Sequence, residues 1–182
     1  MKQALLLIDI QNDYFEGGTM TLVNADPASE NAKLLLDKFR SNHLPVIHIQ
    51  HIATKPGATF FLPDSFGAEI HQQVQPTAEE TVIIKHFPNS FRKTELLDYL
   101  KKTGITDLVI AGMMTHMCID ATTRAAKDFG YNCTLVGDAC ATRNLEINGE
   151  KINAVDVHNA FLAALNVTYA TVTNTQDYLA TH

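Results

Sequence analysis

The 182-residue sequence has no long hydrophobic run and no dense cluster of basic residues. No apolar stretch approaches the roughly 20 residues of a membrane-spanning helix, and the apolar part of MKQALLLIDIQND is too short for a secretory signal peptide. The net charge is −6, and no Lys/Arg run exceeds a pair such as Lys101-Lys102, which disfavours binding to nucleic acid. We therefore expect a cytosolic protein whose partner is a small molecule rather than a nucleic acid or a membrane.

Cysteine is also scarce, and the residues present do not form a recognisable framework. The three cysteines, Cys118, Cys133 and Cys140, are odd in number and include no CxxC pair, so they read as reduced thiols rather than disulfides or metal ligands. We interpret Cys133 and Cys140 as structural. A GxGxxG motif after the first predicted strand is missing too, which disfavours dinucleotide binding.

What the sequence does contain is a regular alternation of short apolar runs and helical patterns. The predicted strands span residues 4–9, 45–51, 81–85, 107–112, 132–138 and 167–173. The predicted helices begin near Asp26-Pro27, at residue 94, after Cys118 and at residue 154. This order predicts a single α/β domain over residues 1–182, with a mostly parallel sheet covered by helices on both faces. Residues 52–80 lack periodicity, and a segment this long is more often functional than idle.

Three polar residues close otherwise apolar strands, and they are the candidate catalytic residues. Asp9, Lys85 and Cys118 each follow an aliphatic run, and ligands of such sheets bind beyond the carboxyl ends of the strands. Cys118 lies where a strand passes into a helix, and this position and the Lys85 cation would both favour a nucleophilic thiolate. Asp9 could take the thiol proton and later protonate a leaving amine.

Structural explanations of the same three residues remain open at this point. Asp9 could cap a turn with Asn12 and Asp13, Lys85 could reach solvent from a strand end, and Cys118 could be a core thiol, since free cysteine is often buried. Three such coincidences at three strand ends are less expected than any one of them.

Four segments carry a resemblance to a known family. LLLIDIQNDYF, IIKHFPNSFRKTEL, LVIAGMMTHMCIDATTRAAKDFGY and VGDACAT resemble the isochorismatase-like cysteine hydrolases, in the family's order, as far as Ala141. The resemblance implies a Rossmann-like three-layer sandwich with six strands in the order 3-2-1-4-5-6, a dimer or tetramer, and a cis peptide bond at Met113–Met114. It places the triad on Asp9, Lys85 and Cys118. In that order Lys85 starts about 10 Å from Asp9 and must lean inward or lie past its strand end.

The positions of other residues near the three strand ends suggest further parts of the site. The N–H groups of Met114 and Cys118 are the predicted oxyanion hole. The predicted substrate-binding residues are Phe15, Phe61, Phe91 and His116, with core packing or solvent exposure as the alternative explanation.

Departures from the family pattern bear on cofactor and reaction. Nicotinamidases of the family hold a metal through Asp-x-His, but Ile49 stands two residues before His51 here, so we expect no metal and no other cofactor. His48, His51 and His71 are interpreted as strand, pocket-rim and surface residues. The retained cysteine favours hydrolysis of an amide, ureido or lactam C–N bond through a thioester. Isochorismatase-type vinyl-ether cleavage and a non-catalytic small-molecule-binding module stay open as alternatives.

Overall fold

Residues 2–181 are described by a computed structural model, and their centre is a six-stranded parallel sheet. The strands are β1 (Gln3–Ile8), β2 (Val46–His51), β3 (Thr81–Lys85), β4 (Asp107–Met113), β5 (Asn132–Ala141), β6 (Leu145–Ile147), β7 (Glu150–Ile152) and β8 (Thr171–Thr173). The sheet order is β3-β2-β1-β4-β5-β8, while β6 and β7 form a separate antiparallel hairpin. The predicted α/β architecture and strand order are confirmed, with β8 as the sixth strand.

Helices cover both faces of the sheet because the central strands are apolar on both sides. The helices are α1 (Ala25–Ser41), α2 (Leu96–Thr103), α3 (Asp120–Asp128), α4 (Ala154–Thr168) and α5 (Thr175–Thr181). Leu5 and Leu7 of β1 pack in one core with α1 and α5, while Leu6 and Ile8 pack in the other with α2, α3 and α4. None of the helices within residues 2–181 is long and apolar enough to cross a membrane.

Several element boundaries differ from the sequence-based prediction. The predicted strand over 167–173 shrinks to β8, because α4 continues to Thr168 with Leu165 buried beneath it. The β-branched pair Val167 and Thr168 produced the strand-like pattern, and tertiary packing overrode it. Helix α1 begins at Ala25 after Asn24, rather than with Asp26 as its cap. The β6–β7 hairpin and α5 were not predicted.

A close approach of β1 and β4 brings two of the strand ends together. Gly112 pairs with Ile8 and has a φ of 132°. A Cβ at Gly112 would lie 2.0 Å from the carbonyl oxygen of Ile8, so only glycine fits here. The residues that follow the two strands, Asp9 and the Met113–Met114 corner, consequently leave the sheet side by side.

Candidate active site

Asp9 is the first residue after β1 and is completely buried at the carboxyl edge of the sheet. Its φ is 52°, and its backbone N–H donates to the carbonyl of Ile49 at the end of the neighbouring strand (3.0 Å). The carboxylate Oδ2 lies 2.7 Å from Lys85 Nζ. The other oxygen, Oδ1, is buried and has no hydrogen-bond partner among residues 2–181. Asp9 is therefore a buried carboxylate that is paired with the Lys85 ammonium.

Lys85 ends β3, two strands away from β1, and its side chain leans inward to reach Asp9. The ammonium nitrogen also lies 3.2 Å from Cys118 Sγ and 3.0 Å from the carbonyl oxygen of Phe87. Burial lowers the pKa of Lys85, but the charges of Asp9 and Cys118 outweigh burial and raise it above its usual value. Lys85 is thus a fully buried cation, not a lysine in solvent.

Cys118 lies in the short π-helical turn Thr115–Ile119, which links β4 to α3. Burial raises the pKa of its thiol well above the usual value, and the negative charge of Asp9 raises it further, while Lys85 opposes both. Burial and Asp9 thus favour the protonated thiol, whereas Lys85 favours the thiolate. Burial and Asp9 therefore oppose the thiolate that the helix start and Lys85 were expected to favour, and the reactive form of Cys118 stays a prediction.

The corner before Cys118 contains the peptide geometry that the resemblance implies. The Met113–Met114 peptide bond is cis. Met114 opens the turn, and its carbonyl oxygen accepts hydrogen bonds from Met117 and Ile119. The assignment of the Met114 and Cys118 N–H groups as an oxyanion hole remains a prediction.

His51 joins this cluster, although sequence reasoning placed it only at a pocket rim. Its Nδ1 lies 3.1 Å from Lys85 Nζ and 3.9 Å from Asp9 Oδ2. The buried side chain of Gln11 holds the His51 backbone from both sides, accepting from its N–H (2.7 Å) and donating to its carbonyl (2.9 Å). The available signal was position, since His51 ends β2 and pairs with Lys85 at the same sheet edge.

Aromatic residues from two segments cover the cluster. Phe61, from the aperiodic segment 52–80, contacts Tyr14 (4.7 Å between ring centroids) and lies 5.8 Å from the ring of His51. The N–H of Phe61 donates to Asp13 Oδ2 (2.6 Å), which ties the segment to the turn after β1. Phe61 is therefore beside the cluster, and its substrate-binding role stays a prediction.

The other predicted substrate-binding residues have different neighbours. Phe15 stacks on His71 (3.7 Å), and Phe91 packs against Phe129 (5.2 Å). His116, two residues before Cys118, is half-buried, and its Nδ1 shares a hydrogen bond with Thr142 Oγ1 (2.5 Å). These contacts are those of packing and local bonding, and a substrate-binding role for the three residues stays a prediction.

The two remaining cysteines lie outside the cluster. Both thiols are buried, and burial raises the pKa of Cys133 to about 11 and that of Cys140 to about 12. Cys140 Sγ donates to the carbonyl of Val136 (3.4 Å). These surroundings fit the structural interpretation.

A metal ion fits this cluster poorly, although its donor atoms are of the right kind. One ligand atom from each of Asp9, His51 and Cys118 lies within 4.8 Å of the others. The Lys85 ammonium, however, is within 3.2 Å of all three side chains and already compensates the carboxylate. A metal would have to displace a fully buried cation.

The same combination of fold and sequence occurs in known proteins. A family model, the isochorismatase domain, matches residues 3–177. The isochorismatase family protein YddQ of Bacillus subtilis (strain 168) is 52% identical over 179 residues, covering 98% of this chain and 99% of that protein. The crystal structure of an isochorismatase from Pseudomonas putida KT2440 has a TM-score of 0.91 and 36% identity, covering 96% of this chain and 89% of that one.

One relative that is named for its activity is the streptothricin hydrolase of Streptomyces noursei. It is 34% identical over 143 residues, which cover 79% of this chain and 56% of that protein. The chain therefore belongs to the isochorismatase family and is a hydrolase of that family.

Proposed function

We propose that this protein is a cysteine-dependent hydrolase that cleaves the C–N bond of a small amide, ureido or lactam substrate through a thioester. The observation that carries the proposal is the placement of Cys118 Sγ 3.2 Å from the buried Lys85 ammonium, which also lies 2.7 Å from the Asp9 carboxylate. A nucleophile, a proton acceptor and a fixed cation thus meet at one sheet edge. A core cysteine has no need of two buried charges.

The geometry gives each residue a defined role in acylation. Asp9 accepts the thiol proton as Cys118 Sγ attacks the substrate carbonyl carbon. Lys85 stabilises the negative charge on the Asp9 carboxylate and on the attacking sulfur. The N–H groups of Met114 and Cys118 bind the oxyanion that forms on the substrate carbonyl oxygen. Asp9 then protonates the leaving nitrogen, the C–N bond breaks, and the acyl group stays on sulfur.

The similarity to streptothricin hydrolase supports the hydrolytic assignment, and the contact between Lys85 and Cys118 supports the cysteine mechanism. Vinyl-ether cleavage of the isochorismatase type does not use a thioester, so it would continue after removal of the sulfur. A binding module would turn over neither the C–N substrates nor a vinyl ether. The three hypotheses therefore predict different results for a single substitution, that of Cys118.

The test is a screen for ammonia or amine release over amides, ureides and lactams, repeated with Cys118→Ala. We expect the variant to lose at least about 1,000-fold in rate, as nucleophile deletions do, while its circular dichroism stays native because the Asp9–Lys85 pair remains. Cys133→Ala is the matched control and should keep full activity. Undiminished turnover in Cys118→Ala would refute the proposal, and cleavage of a vinyl ether by that variant would establish the alternative.

A further inference from the structure

Three consecutive polar side chains in the turn after β1 hold the segment 60–68. Gln11 Nε2 and Asn12 Nδ2 donate to carbonyl oxygens of that segment (2.7 and 2.9 Å). Asp13 differs from them, because its Oδ2 accepts from the backbone N–H of Phe61 (2.6 Å). Among the three side chains, only that of Asp13 is charged, and the acylation step described above makes no use of it.

Asp13 is a buried carboxylate, and none of the ion pairs within residues 2–181 includes it. Hydrogen-bond donors compensate the charge instead. Oδ1 accepts from the N–H (3.1 Å) and the O–H (2.8 Å) of Thr19, and Oδ2 accepts from Phe61. A Cβ at Gly67 would overlap the same carboxylate, so a larger residue there would push Asp13 off its donors. Hydrogen bonds to a charged acceptor are strong, so the Asp13 carboxylate holds Phe61 firmly.

Phe61 is held in a backbone conformation that it would rarely adopt on its own. Its φ is 55°, in the left-handed region, and its side chain is completely buried. Its carbonyl oxygen accepts from the N–H of Ala53 (2.8 Å), so the peptide groups on both sides of Phe61 are bonded, one to Ala53 and one to Asp13. Such a conformation persists only where the surroundings impose it, so loss of the Asp13 bond would let Phe61 relax.

The position of the Phe61 ring determines what lies beside the catalytic cluster. Its centroid is 4.7 Å from that of Tyr14, 4.9 Å from that of Phe60 and 5.8 Å from that of His51. His51 Nδ1 is in turn 3.1 Å from Lys85 Nζ. Phe61 is buried and Phe60 is half-buried, so the two rings form an apolar wall whose outer member is accessible.

We propose that Asp13 is a positioning residue, which holds Phe61 so that the rings of Phe60 and Phe61 form one wall of the substrate pocket. These two rings carry no hydrogen-bonding group, so the part of the substrate that lies against them is apolar or aromatic. This inference rests on the proposed function, since it concerns which substrates that site accepts. Asp13 takes no part in the chemistry, because its oxygens are occupied by Thr19 and Phe61.

The test measures how tightly three amides compete with p-nitrophenyl acetate. 2-Phenylacetamide and acetanilide are isomers that carry a phenyl ring on the acyl side and on the amine side of the C–N bond, and acetamide carries none. In the wild type, we expect at least one isomer to bind about 10-fold more tightly than acetamide, as burial of an apolar group allows. If neither isomer binds more tightly than acetamide, the inference is wrong.

Asp13→Ala removes the acceptor of the Phe61 N–H. We expect this variant to bind the preferred aromatic amide about 10-fold more weakly, while the inhibition constant of acetamide and the kcat for p-nitrophenyl acetate change by less than about threefold. Thr19→Val is the matched control, because it removes another donor to the same carboxylate, and its constants should match those of the wild type. Equal weakening of all three amides in Asp13→Ala would overturn the inference.

A double-substitution cycle with Phe61→Leu separates positioning of the ring from a general loss of structure. If Asp13 acts through the Phe61 ring, then Asp13→Ala should weaken the aromatic amide by less than about threefold once that ring is absent. Full additivity of the two substitutions would contradict the inference.

Hydrogen exchange followed by mass spectrometry tests the contact between Asp13 and the segment 60–68 without any turnover. The segment should exchange faster in Asp13→Ala than in the wild type. Asp13→Asn keeps the size of the side chain and one acceptor oxygen, so its exchange should be intermediate, and it replaces Asp13→Ala if that variant does not fold. Wild-type exchange in these variants would overturn the inference. Failure of the proposed function looks different, because p-nitrophenyl acetate would then not acetylate Cys118 in the wild type, whatever the exchange of the segment.

Discussion

Cys118 is held between opposing charges, and the balance determines its protonation state. Burial raises the pKa of the thiol most, Asp9 raises it further and Lys85 lowers it. A protonated thiol beside a carboxylate suits a mechanism in which the proton moves only as the sulfur attacks. The reactivity of the sulfur therefore depends on its two charged neighbours, Asp9 and Lys85.

Removing either neighbour should shift the pKa of Cys118 in opposite directions. Asp9→Asn removes a negative charge, so the pKa should fall by at least about 1. Lys85→Met removes the positive charge, so the pKa should rise. Thiolate absorbance at 240 nm, recorded against pH and corrected with the matching Cys118→Ala protein, measures both. Shifts of the same sign in the two variants would show that Asp9 and Lys85 do not act as the distances indicate.

Strand β3 lies at the edge of the sheet, yet it carries the buried lysine of the site. The carboxylate of Glu80, directly before β3, accepts two hydrogen bonds from Arg40 of α1 (2.7 and 2.8 Å). It also hydrogen-bonds with His48 of β2 (2.9 Å). Burial raises the pKa of Glu80, but the bonds from Arg40, the Thr77 N–H and His48 outweigh it and hold the pKa at about 2. This network anchors the start of the strand that delivers Lys85.

Glu80→Gln should lower the free energy of unfolding at pH 7 by about 1–2 kcal/mol. The folded pKa is depressed, so the carboxylate stabilises the protein fully above its unfolded pKa of about 4.5. That contribution is lost as the pH falls towards about 2. Urea unfolding of both proteins between pH 7 and pH 2 checks this, with exposed Glu79→Gln as the control. A difference that stays constant with pH would count against the network.

Across the entire chain, the sequence predicted best those features that a single local pattern determines, such as the bounds of a strand or the apolar face of a helix. Strand β3 has its predicted bounds, and the apolar faces of α1 and the buried β1 follow from their periodicity. The convergence of Asp9, Lys85 and Cys118 followed from the rule that parallel strands end at one edge. The strand order required Lys85 either to lean inward or to lie past its strand end, and the structure shows the inward lean.

Properties that depend on contacts between distant segments could not be predicted in this way. The raised pKa of Cys118 depends on how deeply the thiol is buried, which no local pattern reports. His51 joined the cluster only because β2 lies between β1 and β3, and the contacts of Phe15 and Phe91 depend on His71 and Phe129. The homo-oligomer implied by the resemblance stays a prediction.

The most direct test of the central claim is to identify the atom that carries the acyl group. The protein is mixed with p-nitrophenyl acetate, quenched in acid within the first turnover, digested and mapped by mass spectrometry. We predict a single acetyl group on the peptide containing Cys118, and none on that peptide in Cys118→Ala. Release of p-nitrophenolate by the wild type with Cys118 unmodified at every quench time would contradict the account.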